Sequence, residues 1–421
     1  MRHIELAYGQ DSVRFAVDEN SYQVLTHKGL SEQPLTDAQI GSALDAPIES
    51  PPLDEFLNSG ESVLIVVSDA TRATASTQIV NLLVRRLVQA GISAINIAII
   101  FSTGIHRGVS PDEKRELLTP FILQRIRTID HDAYDSKQLV AIGQTASGTP
   151  VELNRALQEF THVIQTGAIG FHYFAGFTGG RKSICPGLAS AQTIETTHML
   201  ALDFEQGGRR AGVGTGLLEG NAVHEECERI AGMIEPSFGV NAVVDESGLA
   251  VQIYAGHWRD AHRAGCRQYL ADHSIEIESR REVVVVSCGG SPYDINLIQA
   301  HKALEMASYA CEPGGTIILL AECPDGLGRK DFLKWFDTEN SSSLKRRLRE
   351  SYEVNGQTAW SLMSKAERFR VLLVSSLAED DVRRMNMTPA RSLDEAMLQV
   401  NSAARGYVLP RGASLLPVVS H

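Results

Sequence analysis

The sequence predicts an α/β fold of two doubly wound domains, and three observations support that class. Short apolar runs rich in β-branched residues recur along the chain, as at 63–67. Apolar residues then recur at helical spacing through 79–90, before Gly91 ends the predicted helix. Each strand-like run opens into a polar or glycine-rich loop, and in doubly wound folds ligands bind beyond the carboxyl ends of the strands.

The length of the chain indicates more than one domain. A total of 421 residues exceeds what one ordinary core accommodates. The charged stretch 276–281 is typical of a linker. We therefore predict an N-terminal α/β domain at 1–275, which carries the reactive residues, and a C-terminal α/β domain at 276–421, with the last ~20 residues able to return to the N-terminal domain. The interdomain crevice is the predicted active site.

The predicted C-terminal domain begins with an apolar strand at 282–286. Asp294 is the predicted N-cap of a helix that continues to about Ala310, because Asp side chains accept hydrogen bonds from the free N–H groups at helix starts. A further apolar strand is predicted at 316–321. Strand, helix and strand in this order extend the α/β pattern to the second half of the chain.

Composition excludes several classes of function. Lys and Arg total 39 against 51 Asp and Glu, and the net charge of −12 argues against nucleic acid as a partner. No apolar run approaches the roughly 20 residues of a membrane span, and the first residues do not resemble a signal peptide. The six cysteines lack C-x-x-C spacing. We therefore expect a cytoplasmic protein that acts on a small molecule, without a membrane partner.

A glycine-rich segment at 174–183 ends in cations and contains Gly179, Gly180, Arg181 and Lys182. Glycine lets the backbone approach a bound group closely, while Arg and Lys suit a phosphate or a carboxylate. The segment lacks the register of a P-loop, and no dinucleotide fingerprint is present elsewhere in the chain. Taken alone, the segment leaves a flexible surface loop and a ligand-binding loop both open.

Histidines and one arginine indicate an acid–base site. His106 and His172 each follow a predicted strand, and His198 lies on a predicted helix. An imidazole titrates near pH 6.5, and a reaction that works from either face of a carbon needs two such groups. Arg72 also follows a strand and can clamp a carboxylate bidentately. These residues indicate a site for a small carboxylic acid without naming the reaction, and for each histidine a structural role stays open.

In their order along the chain, these residues resemble the lactate racemase family. The resemblance covers nearly the whole sequence. The matching motifs are Ser68-Asp69-Ala-Thr-Arg72, Thr103-Gly-Ile-His106, His172, Gly179-Gly-Arg-Lys182-Ser-Ile-Cys-Pro-Gly187, His198, Glu219-Gly-Asn221-Ala-Val-His224-Glu, Asn241-Ala-Val-Val and Asp294-Ile-Asn296-Leu-Ile-Gln299-Ala-His-Lys302.

The resemblance implies a racemase or epimerase that inverts C2 of a 2-hydroxy carboxylic acid by reversible hydride transfer. Its cofactor would be the nickel-pincer nucleotide (nickel pyridinium-3-thioamide-5-thiocarboxylic acid mononucleotide), attached covalently to Lys182, with nickel bound by His198. His106 and His172 correspond to the paired acid/base groups. The partners implied are the substrate and the enzymes that make and insert the cofactor. Further positions implied for the cofactor are Asp69, Gly179, Gly180 and Arg181, and those for the substrate are Arg72, Ser291, Ile298, Gln299 and Lys302.

Two departures from the family pattern concern the substrate. Lactate enzymes of the family commonly have a Gly-Gly-Tyr-Pro stretch and a tyrosine just before the glutamine, where this chain has Ser291 and Ile298. Loss of an aromatic hydroxyl changes the shape and the polar partners of a pocket, and these set discrimination between substrates. We therefore expect a larger 2-hydroxy acid than lactate, such as malate, an aromatic lactate or a sugar acid.

Three alternatives stay open on the sequence. A non-catalytic member of the family that binds the cofactor would keep Lys182 and His198 but lose His106 or His172, and all four are present. A nicotinamide-dependent 2-hydroxy acid dehydrogenase would need the nucleotide fingerprint that is missing. A metal-dependent hydrolase would need the three histidines to come together as ligands.

Overall fold

The computed structural model of the protein describes residues 2–27 and 33–420. The described strands are β1 (Arg2–Tyr8), β2 (Asp11–Val17), β3 (Tyr22–Val24), β4 (Val63–Ser68), β5 (Ile97–Ser102), β6 (Arg127–Asp130), β7 (Leu139–Gln144), β8 (Pro150–Asn154), β9 (His162–Ala168), β10 (Phe171–His172), β11 (Gly176–Phe177), β12 (Phe238–Val244), β13 (Ala250–Gly256), β14 (Ser274–Ile277), β15 (Arg281–Ser287), β16 (Cys311–Leu320), β17 (Arg370–Val374), β18 (Thr388–Ala390), β19 (Gly406–Leu409) and β20 (Leu416–Val419).

The described helices alternate with these strands for most of the chain. They are α1 (Asp37–Asp45), α2 (Leu53–Phe56), α3 (Ser76–Gln89), α4 (Pro111–Leu117), α5 (Pro120–Arg125), α6 (Ala156–Glu159), α7 (Ala191–Met199), α8 (Ala222–Gly232), α9 (Asp260–His273), α10 (Leu297–Ala310), α11 (Ser341–Glu350), α12 (Val354–Arg368), α13 (Glu379–Arg384) and α14 (Leu393–Met397). None of these helices is both long enough and apolar enough to cross a membrane.

The chain forms two compact units, and their division differs from the predicted boundary at 275–276. The larger unit contains the described residues of 33–202 and 209–270. The smaller unit contains 2–27, 203–208 and 271–420, so both termini belong to it. The stretch 276–281 is not a linker, because it contains the end of β14 and the start of β15, both in the smaller unit.

The larger unit is built on a six-stranded sheet with the order β13-β12-β9-β4-β5-β6. All neighbours are parallel except the pair β12–β13. Val63 to Val67 of β4 are all buried, as expected for a central parallel strand covered on both faces. Helix α3 buries Ile79, Leu83 and Leu87 at helical spacing against the same core.

The smaller unit is built on a second six-stranded sheet, all parallel, with the order β18-β17-β16-β15-β19-β3. Its edge strand β3 comes from the start of the chain and pairs with β19 near the end. The hairpin β1–β2 contributes Leu6, Phe15 and Val17 to the core of this unit. The α/β class and the parallel sheets predicted from the sequence are thereby confirmed.

Candidate active site

Three predicted site segments follow neighbouring strands of the larger unit. Strands β9, β4 and β5 are adjacent in that order and run parallel. The loop after β4 carries Asp69 and Arg72, the loop after β5 carries His106, and the segment after β9 carries His172. Because carboxyl ends of parallel strands meet at one edge of a sheet, these side chains belong to the same edge, with His106 and His172 on either side of β4.

Asp69 and His106 form a direct pair. Nδ1 of His106 lies 2.7 Å from Oδ2 of Asp69, and the other carboxylate oxygen accepts hydrogen bonds from the backbone N–H of Thr71 at 3.1 Å and from its hydroxyl at 2.5 Å. Burial alone would raise the pKa of Asp69, but the bonds from His106 and Thr71 and the charges of His106 and Arg72 lower it overall. Asp69 is therefore an ionised carboxylate with both oxygens engaged, and it fixes the His106 ring.

His172 is held by the turn that follows it. Its Nδ1 accepts hydrogen bonds from the backbone N–H of Ala175 at 3.2 Å and of Phe174 at 3.5 Å. Its ring stacks on Tyr173 with centroids 5.4 Å apart, and it meets the Phe174 ring edge-on at 4.5 Å. The half-buried imidazole is therefore oriented in part by main-chain N–H groups at its Nδ1 and by aromatic rings.

Gly179 and Gly180 are required by the backbone and by close neighbours. Their φ angles are +76° and +51°, and a Cβ on Gly180 would lie 2.4 Å from the His262 ring. A Cβ on Gly179 would lie 2.9 Å from Oδ1 of Asn241, which accepts a hydrogen bond from the Gly180 N–H at 2.8 Å. The next turn, a short 3-10 helix, contains Lys182. Glycine thus lets the loop pack against His262 and Asn241 while it presents the lysine.

Arg181 lies inside the larger unit and holds the same loop. Its guanidinium donates to the carbonyl of Ala175 at 2.6 Å and lies 3.2 Å from Nε2 of His262. Burial lowers the pKa of this arginine, and its Nε has no hydrogen-bond partner among the described residues. The contacts that the structure gives Arg181 are therefore to the protein itself, and its predicted role toward a cofactor stays a prediction.

Lys182 and His198 contact the same aromatic ring. Nζ of Lys182 lies 5.6 Å from the centroid of Phe174, whose ring meets the His198 ring at 5.1 Å. Desolvation, and then the charges of Arg72 and Arg181, lower the pKa of Lys182 well below its usual value. Burial and the charge of Lys182 lower the pKa of His198 to about 3. These surroundings disfavour the charged form of the amine, and the imidazole is uncharged near neutral pH.

The predicted substrate positions of the smaller unit lie on or before helix α10. Lys302 donates to Oε1 of Gln299 at 2.7 Å, one turn along the helix. The N-cap is Asn296, whose side chain accepts from the Gln299 N–H at 3.0 Å. The prediction that Asp294 caps this helix is wrong. Its carboxylate instead accepts from the backbone N–H groups of Gly9 at 2.8 Å and Glu322 at 3.2 Å, which ties three loops of the unit together. Ser291 precedes these residues, and Ile298 lies in the first turn of the helix.

Sequence reasoning missed three residues that shape this site. Phe174 contacts both Lys182 and His198, while Asn241 and His262 pack against the glycine loop. Asn241 belongs to a motif that matches the family, so a signal for it was present. His262 lies on α9, far from the strand ends along the chain, and carries no local pattern that distinguishes it from other histidines.

Taken together, the doubly wound sheet, the carboxylate–histidine pair, the second histidine and the buried lysine are typical of an α/β enzyme with acid–base groups. A family model described as the lactate racemase N-terminal domain matches residues 8–208, and one described as the lactate racemase C-terminal domain matches residues 277–416. The chain belongs to the lactate racemase family and is an isomerase.

Individual relatives agree over the full length. The chain is 30% identical to a lactate racemase of Thermoanaerobacterium thermosaccharolyticum, over 99% of each sequence. It is 30% identical to a lactate racemase of Lactiplantibacillus plantarum, over 98% of this chain and 99% of the relative. The solved apoprotein of the former enzyme matches over 100% of both chains with a TM-score of 0.90. A Thermotoga maritima crystal structure, 19% identical with a TM-score of 0.68 over 93% of this chain, is similar in fold alone.

Proposed function

We propose that the protein is a racemase or epimerase that inverts C2 of a 2-hydroxy carboxylic acid. The observation that carries this proposal is the arrangement of His106 and His172, which follow β5 and β9 on either side of β4. Inversion needs proton transfer to and from the hydroxyl oxygen on two faces of a carbon that becomes planar. Two imidazoles on either side of one strand end supply one group for each face.

The chain's own residues bind the substrate and move its proton. Asp69 orients His106 and stabilises the imidazolium that forms when this histidine takes a proton, as carboxylate partners of catalytic histidines do. Arg72 follows the same strand as Asp69 and binds the substrate carboxylate. Gln299 and Lys302, adjacent on α10, are further proposed substrate positions.

The residues of the larger unit fit the nickel-pincer nucleotide that the family resemblance implies. The described residues contain no group of three or more His, Cys, Asp or Glu side chains that could hold a metal by themselves. The single neutral imidazole of His198 instead suits a metal whose remaining ligands arrive with an organic cofactor. The surroundings of Lys182 disfavour its charged form, which suits an amine that forms an acyl-type linkage. When bound, the cofactor would supply reversible hydride acceptance.

The number of possible metal ligands also argues against the metal-dependent hydrolase. A catalytic zinc-type site needs about three protein ligands around one ion. His106 is paired with Asp69, and His198 packs against Phe174. The described part of the chain offers no such triplet. We therefore assign the histidines to proton transfer and cofactor binding.

We propose that the substrate is lactate or, with Ile298 and Ser291 in place of tyrosines, a larger 2-hydroxy acid. The test uses protein coexpressed with the cofactor-biosynthesis and insertion enzymes, with loading established by intact mass. Single enantiomers of lactate, malate, an aromatic lactate and a sugar acid are then followed by chiral chromatography. We expect inversion of at least one larger acid to exceed that of lactate. Turnover of lactate far above every larger acid would contradict the pocket argument, and inversion of none by loaded protein would contradict the proposed reaction.

Arg72→Ala supplies the complementary test. Arg72 is exposed, and losing a charge-assisted hydrogen bond to a carboxylate costs about 1.5–3 kcal/mol, so kcat/KM should fall by roughly 10-fold or more for every acid in the panel. Arg115→Ala is a matched control, because Arg115 is exposed and pairs with Asp112 on the surface. A loss of kcat/KM confined to one acid would show that Arg72 contacts the side chain of that substrate rather than the carboxylate common to all of them.

A further inference from the structure

The partners of His106 determine which of its nitrogens carries hydrogen. Oδ2 of Asp69 lies 2.7 Å from Nδ1, and an ionised carboxylate can only accept a hydrogen bond. Neutral His106 therefore carries its hydrogen on Nδ1 and keeps a lone pair on Nε2. The hydrogen bonds from Thr71 to the other oxygen hold the carboxylate in this orientation. About half of the His106 side chain is exposed, so Nε2 is accessible to a substrate.

The partners of His172 have the opposite chemistry. Two backbone N–H groups, those of Phe174 and Ala175, donate to its Nδ1, and a backbone N–H can only donate. Nδ1 must then present a lone pair, so in neutral His172 the hydrogen is on Nε2. Turning the ring over would aim a C–H at the same two donors, which leaves both unpaired. The tautomer is therefore set by the turn at 173–175.

We propose that the enzyme holds its two histidines in opposite tautomers, so that Nε2 of His106 is a proton acceptor and Nε2 of His172 carries hydrogen. This inference rests on the proposed function and deepens it. When both rings are neutral, His106 takes the hydroxyl proton, and the imidazolium formed is balanced by Asp69. His172 first donates a hydrogen bond to a substrate oxygen. For His172 to take a proton at Nε2, its Nδ1 must acquire hydrogen and release the N–H groups of Phe174 and Ala175.

The tautomers of both histidines can be measured directly by NMR, without any catalytic reaction. The full-length protein, labelled with ¹⁵N in histidine, is examined by long-range ¹H–¹⁵N correlation at pH 8, where neutral rings dominate. Signals are assigned by their loss in His106→Gln and His172→Gln. We expect the Nδ1–H pattern for His106 and the Nε2–H pattern for His172. The same tautomer in both rings, or the two patterns exchanged, would overturn the proposal.

Asp69→Asn tests the cause of the asymmetry. An amide can donate to Nδ1 through its nitrogen, so His106 can adopt the Nε2–H tautomer and lose its free lone pair. We expect the His106 signals to change to that pattern and racemisation to fall roughly 10²–10⁴-fold, the usual contribution of a general base. Asp112→Asn, at an exposed surface pair, should change neither. An Asp69→Asn protein that keeps both the Nδ1–H signals and full activity would refute the role given to Asp69.

The experiments distinguish a failure of the proposed function from a failure of the proposed tautomers. If both histidines are required for racemisation yet share one tautomer, the proposed function stands and the asymmetry is wrong. If loaded protein inverts none of the acids tested, the proposed function fails, whereas the NMR result still reports whether Asp69 and the turn at 173–175 set the tautomers.

Discussion

Acid should destabilise the larger unit far more than the smaller one, because buried neutral histidines are concentrated there. Burial lowers the pKa of His198 and His262 to about 3 and that of His224 to about 2, while in the smaller unit the pKa of His301 falls to about 4. An unfolded chain binds these protons near pH 6.5. The folded pKa lies below the unfolded pKa, so stability is complete above pH 6.5 and is lost as the pH falls below that value.

The size of the effect follows from proton linkage. One pH unit below the unfolded pKa costs about 1.4 kcal/mol per histidine, so each buried ring costs about 2 kcal/mol at pH 5. Three such rings in the larger unit lose roughly 6 kcal/mol of unfolding free energy, against roughly 2 kcal/mol for His301 in the smaller unit. His131, also in the larger unit and also with a lowered pKa, adds to the difference.

Hydrogen exchange is measured by mass spectrometry at pH 8 and pH 5 and corrected for intrinsic exchange rates. It reports the protection of backbone amides in each unit separately. Peptides from β4 and β9 should lose much more protection than peptides from β15 and β16. His262→Gln removes one titrating ring and should reduce the pH dependence of the larger unit by about 2 kcal/mol at pH 5, whatever its effect at pH 8. Equal losses in both units, or no loss in either, would refute the concentration of neutral histidines in the larger unit.

Three further predictions concern the loop and the cofactor. Lys182→Ala and Lys182→Arg should both abolish the covalent mass adduct, because neither offers a primary amine, and an unchanged adduct would exclude Lys182 as the tether. His198→Ala should stay folded by circular dichroism but lose most of its nickel by elemental analysis; stoichiometric nickel with full activity would point to another ligand. Gly180→Ala places a Cβ 2.4 Å from the His262 ring at a positive φ, so it should lower the free energy of urea unfolding by roughly 2–4 kcal/mol. Gly60→Ala, also at a positive φ but with open space around it, should cost only about 1–2 kcal/mol, and equal losses would show that the contact with His262 does not matter.

The sequence predicted those parts of the fold that depend on local pattern. The apolar run at 63–67 forms β4, and the segment with helical periodicity at 79–90 lies largely in α3. Both could be predicted because the burial of a central strand, or of one face of a helix, produces a pattern among neighbouring residues of the sequence. His106 and His172 could be chosen for the same reason, since a strand followed by a loop identifies a strand end. Both histidines follow neighbours of β4 in the structure.

Pairings between distant segments could not be read in this way. Strand β3 is only three residues long and joins the smaller unit through β19, which lies near the other end of the chain. No local sequence pattern indicates such a pairing, so the sequence does not group the start of the chain with its end as the compact units do. Asp294 and Asn296 are both good N-cap residues. Only the positions of Gly9 and Glu322, which engage Asp294, decide between them.

Charge links the loop, the lysine and the proposed substrate. The chain as a whole carries a net charge of −12, yet the charges of Arg72 and Arg181 both act on Lys182, and the nearby carboxylate of Asp69 is committed to His106 and Thr71. Burial, and then these two guanidinium groups, disfavour the charged form of the Lys182 amine. Arg72 also attracts the carboxylate of a 2-hydroxy acid. In the proposed function, one pattern of charge therefore serves both attachment of the cofactor and binding of the anionic substrate.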